Sequence, residues 1–600
     1  MMNFKYNEEV FKKEILDLEK IKEVKINTID KKNEELIINL ISENYNIIFY
    51  LDTSNNNNNF FKRNFEIKNY KTEKIKNEIS EYINSYNFSL NDTLTNFFKN
   101  LIKKLNDYMQ KYINYSSPEI LNNTLLINLF SILLKIIIGL NYYNNENQRF
   151  NDFEEKKFLM EKIINLNIEE WYTYSKNKKN IFPLNYPPIF SYFSFFLGFF
   201  FKFFFNKTTH FENYILTIIM KVFYLFFDVL IYHSSCFLFC KFYFLQRKKN
   251  ILKFYILLFL LLVSPIFIII DHGFFQYNNI MNGFFIFSIY FLFKDNIFIG
   301  ITFYFLCFNF NFIGLYYLIP FSLFIIKFIF NYSNKNIFKI LFYFFLIGIF
   351  IFLSFSIIYS PWIINDKIED VVKVIYLENN TIDKNKIPNF WLFLSHFYNI
   401  KQFNYRKFSY FLNFFFSLLP IYSILFYKQL SFKILNFAFY IISFSFFLFS
   451  YNTNDKTVII LFLSYLLCFF KLSELLSSFI LISMFSIQNS VENNNLLFPY
   501  FILMFMFYFI SKFIQDIYLK SKLEKNNIFL NGENTKYYYF NLYEIIIIFT
   551  IIIFNICKIY IKEPFHSSEF YSIFHCCFCF SYFIFIFFYS NMKLFKIIFN

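Results

Sequence analysis

Six hundred residues, with 58 Lys and Arg against 43 Asp and Glu, carry a formal net charge of +15, and hydrophobic residues make up 56% of the chain. Apolar runs long enough to cross a bilayer recur from about residue 122 to the C-terminus. They exclude the several soluble domains that length alone would suggest and specify a polytopic helical membrane protein, with the lipid bilayer as a partner. The positive charge is not a nucleic-acid surface, because the basic residues are dispersed or sit at the ends of apolar runs, where they mark cytoplasmic loops.

Residues 1–120 stand apart. They are rich in Lys, Glu and Asn, contain the run Asn55 to Asn59, and have no long apolar segment. They read as a cytosolic extension, partly disordered and partly helical, with a helix over 89–111. Residues 1–30 are charged and lack the apolar core of a signal peptide, which leaves the first membrane helix to direct insertion.

Residues 121–600 thread through a bilayer by alternation, with basic clusters held in the cytosol. A helix near 122–140 delivers 141–188 to the lumen, and the apolar stretch 189–205, behind Pro187 and Pro188, reads as crossing or interfacial. A second crossing, 214–244, returns to the basic run Gln246-Arg247-Lys248-Lys249, and a third, 251–270, leads out to Asp271. A hairpin over 297–330 bends near Asn309 to Asn311, and later crossings frame a long luminal loop at 361–405. The expectation is an all-α membrane protein of about fourteen transmembrane helices. Both termini are cytosolic, and luminal loops lie near 141–210 and 361–405.

The eight cysteines lie mostly inside apolar runs and suggest no disulfide framework. His575 with Cys576, Cys577 and Cys579 lacks a second ligand pair, so no metal site is expected.

Four polar constellations fall on the luminal side of this threading: Asp152 to Glu154, Asp271 to Asn278, Lys386 to Trp391, and Asn452 to Lys456. A carboxylate beside an imidazole, as in Asp271-His272, is costly in hydrocarbon and belongs at a membrane face, in a cavity or in a functional site. Lys221 and Asp228, seven residues apart, share one face of the second crossing, where an ion-pair or packing role competes with substrate contact.

The motifs are specific as well as polar. Asp271-His272-Gly273-Phe274-Phe275-Gln276-Tyr277-Asn278 resembles a motif of the endoplasmic-reticulum glucosyltransferases that move glucose from dolichyl-phosphate-glucose onto the lipid-linked oligosaccharide. The same family has Asp-Phe-Glu or Asp-Tyr-Glu, then Trp-Tyr, then Leu-Asp-Tyr-Pro-Pro. They are matched in order and spacing by Asp152-Phe153-Glu154, Trp171-Tyr172 and Leu184-Asn185-Tyr186-Pro187-Pro188. Lys386-Ile387-Pro388-Asn389-Phe390-Trp391 and the segment ending in Asn454-Asp455-Lys456 resemble two further motifs, and the collinear match runs over about residues 122–513. Departures are visible: Asn185 stands for an Asp, Phe274 and Asn454 for His, and Lys157 for an Arg; a family lysine finds only Phe312 or nearby Asn311.

The resemblance implies a GT-C membrane glycosyltransferase in the endoplasmic reticulum with a luminal active site, working without a cofactor or divalent cation. It implies a dolichyl-phosphate-glucose donor and a dolichyl-diphosphate oligosaccharide acceptor. Asp152 corresponds to the catalytic base, which takes the acceptor hydroxyl's proton as that oxygen attacks the anomeric carbon. Glu154, Trp171, Tyr172, Tyr186, Asp271, His272, Gln276, Tyr277, Asn278, Lys386, Trp391, Asp455 and Lys456 fall at substrate-binding positions. Gly273 and the Lys386 segment favour the branch that adds the first glucose, while Tyr186 to Phe193 and Pro388 favour the second; the reading leans to the first. A transporter would need internal repeats or paired broken helices, which the sequence does not show. A non-catalytic membrane scaffold would account for the lost polar groups.

Overall fold

The computed structural model describes residues 24–30, 35–42, 45–52 and 64–68, and residues 118–599 apart from 142–150, 173–185, 206–212, 248–249, 333–335, 378–386, 399–404, 427–431, 452, 527–530 and 562–569. The chain divides into two compact units, Met1–Asn123 and Thr124–Asn600.

In the first unit, strands β1 (Val24–Asp30), β2 (Glu35–Ser42), β3 (Tyr45–Asp52) and β4 (Asn64–Lys68) form an antiparallel sheet in the order β1-β2-β3-β4. The disorder-and-helix reading of residues 1–120 did not contain this sheet. The local cause is strand propensity: β2 and β3, ELIINLIS and YNIIFYLD, concentrate Ile, Tyr and Phe within a Lys/Asn-rich background. The expected helix over 89–111 lies outside the described residues.

The second unit is helical throughout its described residues. Nine of its helices there are long and apolar enough to cross a membrane, and five further apolar helices have only 10–17 residues. At 1.5 Å per residue the Ile297–Phe310 helix is roughly 20 Å long, short of the ~30 Å hydrocarbon core. The expected count of fourteen therefore mixes long spans with shorter elements. The 297–330 hairpin does bend where the amides suggested: Ile297–Phe310 ends at Asn311, a 3-10 turn covers Phe312–Tyr317, and Leu318–Tyr332 leads on. The loop read as starting at Pro361 begins later, because Pro361 lies inside the Ile337–Ile364 helix.

Two features of this unit place the polar residues. The second crossing is not a uniform α-helix; between Asn213–Phe227 and Ser234–Cys240 it widens into a π-helical turn, Asp228–His233, a distortion often found at functional sites. The Asn278–Phe293 helix packs against that turn through Gly283, where a Cβ would come within 3.0 Å of the backbone carbon of Ile231 and of the Tyr232 Cα. The third crossing ends in its own π turn, Ile268–Gly273, and the chain reverses through Phe275 with φ of 60°. A bulky residue in the left-handed region is strained and needs surrounding structure to hold it there.

Candidate functional site

The interior of the site is a buried charge network that only partly coincides with the sequence motifs. Lys135, in the first membrane helix, places its ammonium 2.5 Å from Asp228 Oδ2, and both side chains are fully buried. The same ammonium is 2.8 Å from His233 Nε2 and must donate to it, so the proton of the neutral ring sits on Nδ1 and is donated to Asn128 Oδ1 at 2.9 Å. Asn128 Nδ2 donates to the Thr124 carbonyl, which agrees with this orientation. His272 Nε2 donates to Asp228 Oδ2 at 3.3 Å, joining the Asp271 motif to the network. Lys221 does not pair with Asp228; it donates to the Gly139 carbonyl at the end of the first helix, where a cation is favoured by the helix dipole.

Asp271 faces the other way. Its Oδ1 accepts from the Asn278 side chain at 2.9 Å and from the Asn278 amide at 3.3 Å, so the carboxyl group satisfies a backbone N–H at the start of the Asn278–Phe293 helix. Asn311 extends the chain by donating to Asn278 Oδ1 at 3.0 Å. Asp228 Oδ1 and Asp271 Oδ2 have no hydrogen-bond partner among the described residues, so this interior retains polar capacity. Asp271, His272, Gln276, Tyr277 and Asn278 are all buried. All five fall at positions expected to bind substrate, and Asp271, His272 and Asn278 also hydrogen-bond within the site.

A second cluster surrounds Tyr186. The Asn151–Asn165 helix carries Asp152 as its second residue, although the Asp152 side chain, like the whole of Lys386, lies outside the described residues. Glu154, half-buried, follows on this helix. Glu155 and Lys156 come next: Lys156, almost wholly buried, donates to the Tyr186 hydroxyl and lies 3.5 Å from the Glu155 carboxylate. Lys456, from the start of the Asp455–Cys468 helix, donates to the same hydroxyl at 2.9 Å. Asp455 adjoins it, half-buried. Burial raises the Glu155 carboxyl, but the Lys156 and Lys456 ammonium groups, with hydrogen bonds from Lys156 and Tyr186, outweigh that effect and hold it below its ordinary 4.5.

This shift fixes the sign of a pH effect. A carboxyl lowered on folding adds stability above its ordinary value and loses it as pH falls through the folded value. The Glu155→Gln variant should therefore have a lower thermal midpoint than the parent protein at pH 7, with the gap closing below pH 4.5. A gap that stays constant across pH would contradict the pairing.

Aromatic rings join the two clusters. Phe153 packs on Phe275 with centroids 5.5 Å apart, Tyr186 stacks on Phe190 at 4.2 Å, and Phe190 meets Tyr277 at 6.0 Å. Tyr277 and the His272 ring both contact Tyr224, at 4.8 and 4.9 Å. The segments around Asp152, Tyr186, Asp271 and Lys456, far apart in sequence, thus meet in one region.

Three residues expected at substrate-binding positions make internal hydrogen bonds. Trp171 donates to the Ile163 carbonyl and packs on Trp362. Tyr172 donates to the Tyr186 carbonyl at 2.7 Å and fixes the position of that residue. Trp391 donates to the Phe449 carbonyl at 2.7 Å, and Asn389 holds both the Ser450 carbonyl and Thr453 Oγ1. The Asn-Phe-Trp segment thereby anchors the strand of chain that delivers Lys456. Sequence reasoning missed Lys135, His233 and Lys156. Lys135 had a signal, a lone cation in the middle of an apolar run.

A model of the ALG6, ALG8 glycosyltransferase family matches residues 131–589. Over 503 residues, 80% of this chain and 96% of the relative, the sequence is 26% identical to a probable dolichyl pyrophosphate Man9GlcNAc2 alpha-1,3-glucosyltransferase of Dictyostelium discoideum. A protein of the same description from Caenorhabditis elegans is 31% identical over 232 residues, 36% of this chain and 43% of the relative. The dolichyl pyrophosphate Man9GlcNAc2 alpha-1,3-glucosyltransferase of Rattus norvegicus is 24% identical over 386 residues, 62% of this chain and 75% of the relative.

Proposed function

Because the chain belongs to the ALG6, ALG8 glycosyltransferase family, we propose that this membrane enzyme transfers the first glucose from dolichyl-phosphate-glucose to Man9GlcNAc2 on dolichyl diphosphate, in the lumen of the endoplasmic reticulum. The acceptor hydroxyl oxygen attacks the anomeric carbon and the carbon–oxygen bond to phosphate breaks. Dolichyl phosphate leaves with the bonding pair, Asp152 takes the hydroxyl proton, and the anomeric centre inverts. Lys456 lies near the departing phosphate and stabilises its charge.

The observation that carries this reading is the convergence on Tyr186. Lys456 reaches its hydroxyl from one helix, and Lys156, four residues past Asp152, reaches it from another. Residues three and four apart share a helix face, so Asp152 belongs to the face that carries Glu155 and Lys156. The relatives' shared name, the Man9GlcNAc2 enzyme, favours the first glucose over the second.

The test is transfer of labelled glucose from dolichyl-phosphate-glucose, in microsomes, to defined lipid-linked Man9 and Glc1Man9 acceptors. Turnover of Man9 alone is expected; turnover of Glc1Man9 alone moves the protein to the second step, and turnover of neither removes the enzymatic reading. The orientation is checked separately at the sequon Asn379-Asn380-Thr381. A luminal loop there predicts that Asn379 accepts a glycan, whereas a site left bare while an engineered sequon in the 527–530 connection is glycosylated would invert the threading.

A further inference from the structure

We propose that Lys156 and Lys456 form a two-point clamp for a lipid phosphate, with the Tyr186 hydroxyl as the spacer that sets their separation. The proposal rests on the glucosyltransferase reading for the identity of the lipid but not for its geometry. Two ammonium groups from separate helices donate to one uncharged oxygen, so they lie within about 6 Å of each other by ordinary hydrogen-bond lengths. Both also sit against the Tyr186 ring, 4.1 and 5.1 Å from its centroid.

The Glu155 carboxylate offsets one of these two positive charges, which leaves the three groups with a net positive charge that a bound anion with several acceptor oxygens would bridge. A phosphate does this with charge-assisted hydrogen bonds. The Lys156 side chain is only 2% exposed, which keeps its charge poorly screened and its direction fixed. Each ammonium has three N–H donors; the Tyr186 hydroxyl takes one from Lys156, whose ion-pair partner Glu155 lies 3.5 Å away, so Lys156 keeps donor capacity for a ligand oxygen. Tyr186 is itself pinned, its carbonyl held by Tyr172 and its ring stacked on Phe190. The spacing is therefore set before any ligand arrives. Glu155 orients Lys156, while Asn389 and Trp391 secure the segment leading to Lys456.

The phosphate has two sources, the donor's monophosphate and the acceptor's diphosphate, and the experiment separates them. Full-length protein in detergent is titrated with dolichyl phosphate or with uncharged dolichol, and the thermal midpoint is followed. Dolichyl phosphate should stabilise the parent protein more than dolichol does, and Lys156→Met and Tyr186→Phe should each lose that difference while Lys156→Arg retains part of it. In the transfer assay Lys156→Met should raise the KM for dolichyl-phosphate-glucose about 10-fold or more, leaving the KM for the acceptor unchanged. A rise confined to the acceptor's KM keeps the clamp and assigns it to the diphosphate. The proposal is overturned if dolichyl phosphate stabilises Lys156→Met and Tyr186→Phe as much as the parent and neither KM moves. Lys156-dependent binding of dolichyl phosphate by a parent protein that transfers no glucose would leave the clamp standing and remove the enzymatic reading instead.

Discussion

Asp152→Asn is expected to reduce glucose transfer by about 10²–10⁴-fold, the range contributed by a positioned general base, with little change in either KM. The amide matches the carboxylate in shape but cannot accept the acceptor hydroxyl's proton, so the loss belongs in kcat. The surroundings of the helix support this. Phe153, the next residue, packs on Phe275 at the strained reversal of the Asp271 motif, and Glu155 and Lys156 lock the following turn onto Tyr186. The variant should be recovered from membranes with the parent's yield and thermal midpoint. Retention of full activity would assign the base elsewhere, with Glu154 and Glu155 the neighbouring carboxylates to test.

The second large effect is on stability. Asp228→Asn leaves the Lys135 ammonium buried without its counter-charge, and Lys135→Met leaves the carboxylate in the same position. Breaking a buried pair by removing one partner costs about 3–5 kcal/mol, whereas replacing both by apolar groups is often neutral or stabilising. Each single variant should therefore show a sharply reduced yield of monodisperse protein in detergent, and Lys135→Met/Asp228→Leu should recover most of it. The recovered double variant should still transfer glucose slowly, because His272 has lost the oxygen that holds it. A double variant as unstable as the singles would show that the surrounding hydrogen bonds, not the charge pair, matter most at this position.

Much of this architecture was visible in the sequence because the bilayer imposes simple rules. Apolar length located the spans, and the polar break at Asn309 to Asn311 marked the bend of the hairpin. The motifs gave the collinear family match. What composition concealed was direction. Trp171, Trp391 and His272 fall at positions expected to bind substrate, and the sequence did not show that each also bonds inward to a carbonyl or to Asp228. Which way a side chain points from a loop or a helix end depends on packing partners that are 58 residues away for Trp391 and 44 for His272, and no local pattern records them. Lys156 was hidden for a different reason. In a chain with 58 basic residues, a lysine in a charged helix reads as a solvated surface group until Tyr186 is seen closing over it. The sheet of residues 24–68 escaped because Asn and Lys surround its Ile-rich strands.

The pairing of Lys135 with Asp228 also has a consequence during synthesis. The two residues are 93 positions apart, so at about 5–20 residues per second the lysine emerges from the ribosome roughly 5–20 s before its counter-ion exists. A lone lysine at the centre of a membrane helix opposes insertion by ~2.5–3.5 kcal/mol, and Lys135, five residues from the end of the Ile120–Leu140 span, opposes it by less. The Lys135 side chain therefore reaches its buried partner only after the second crossing has been made. Docking of the amino-terminal span through this pair cannot precede synthesis of the π turn that carries Asp228.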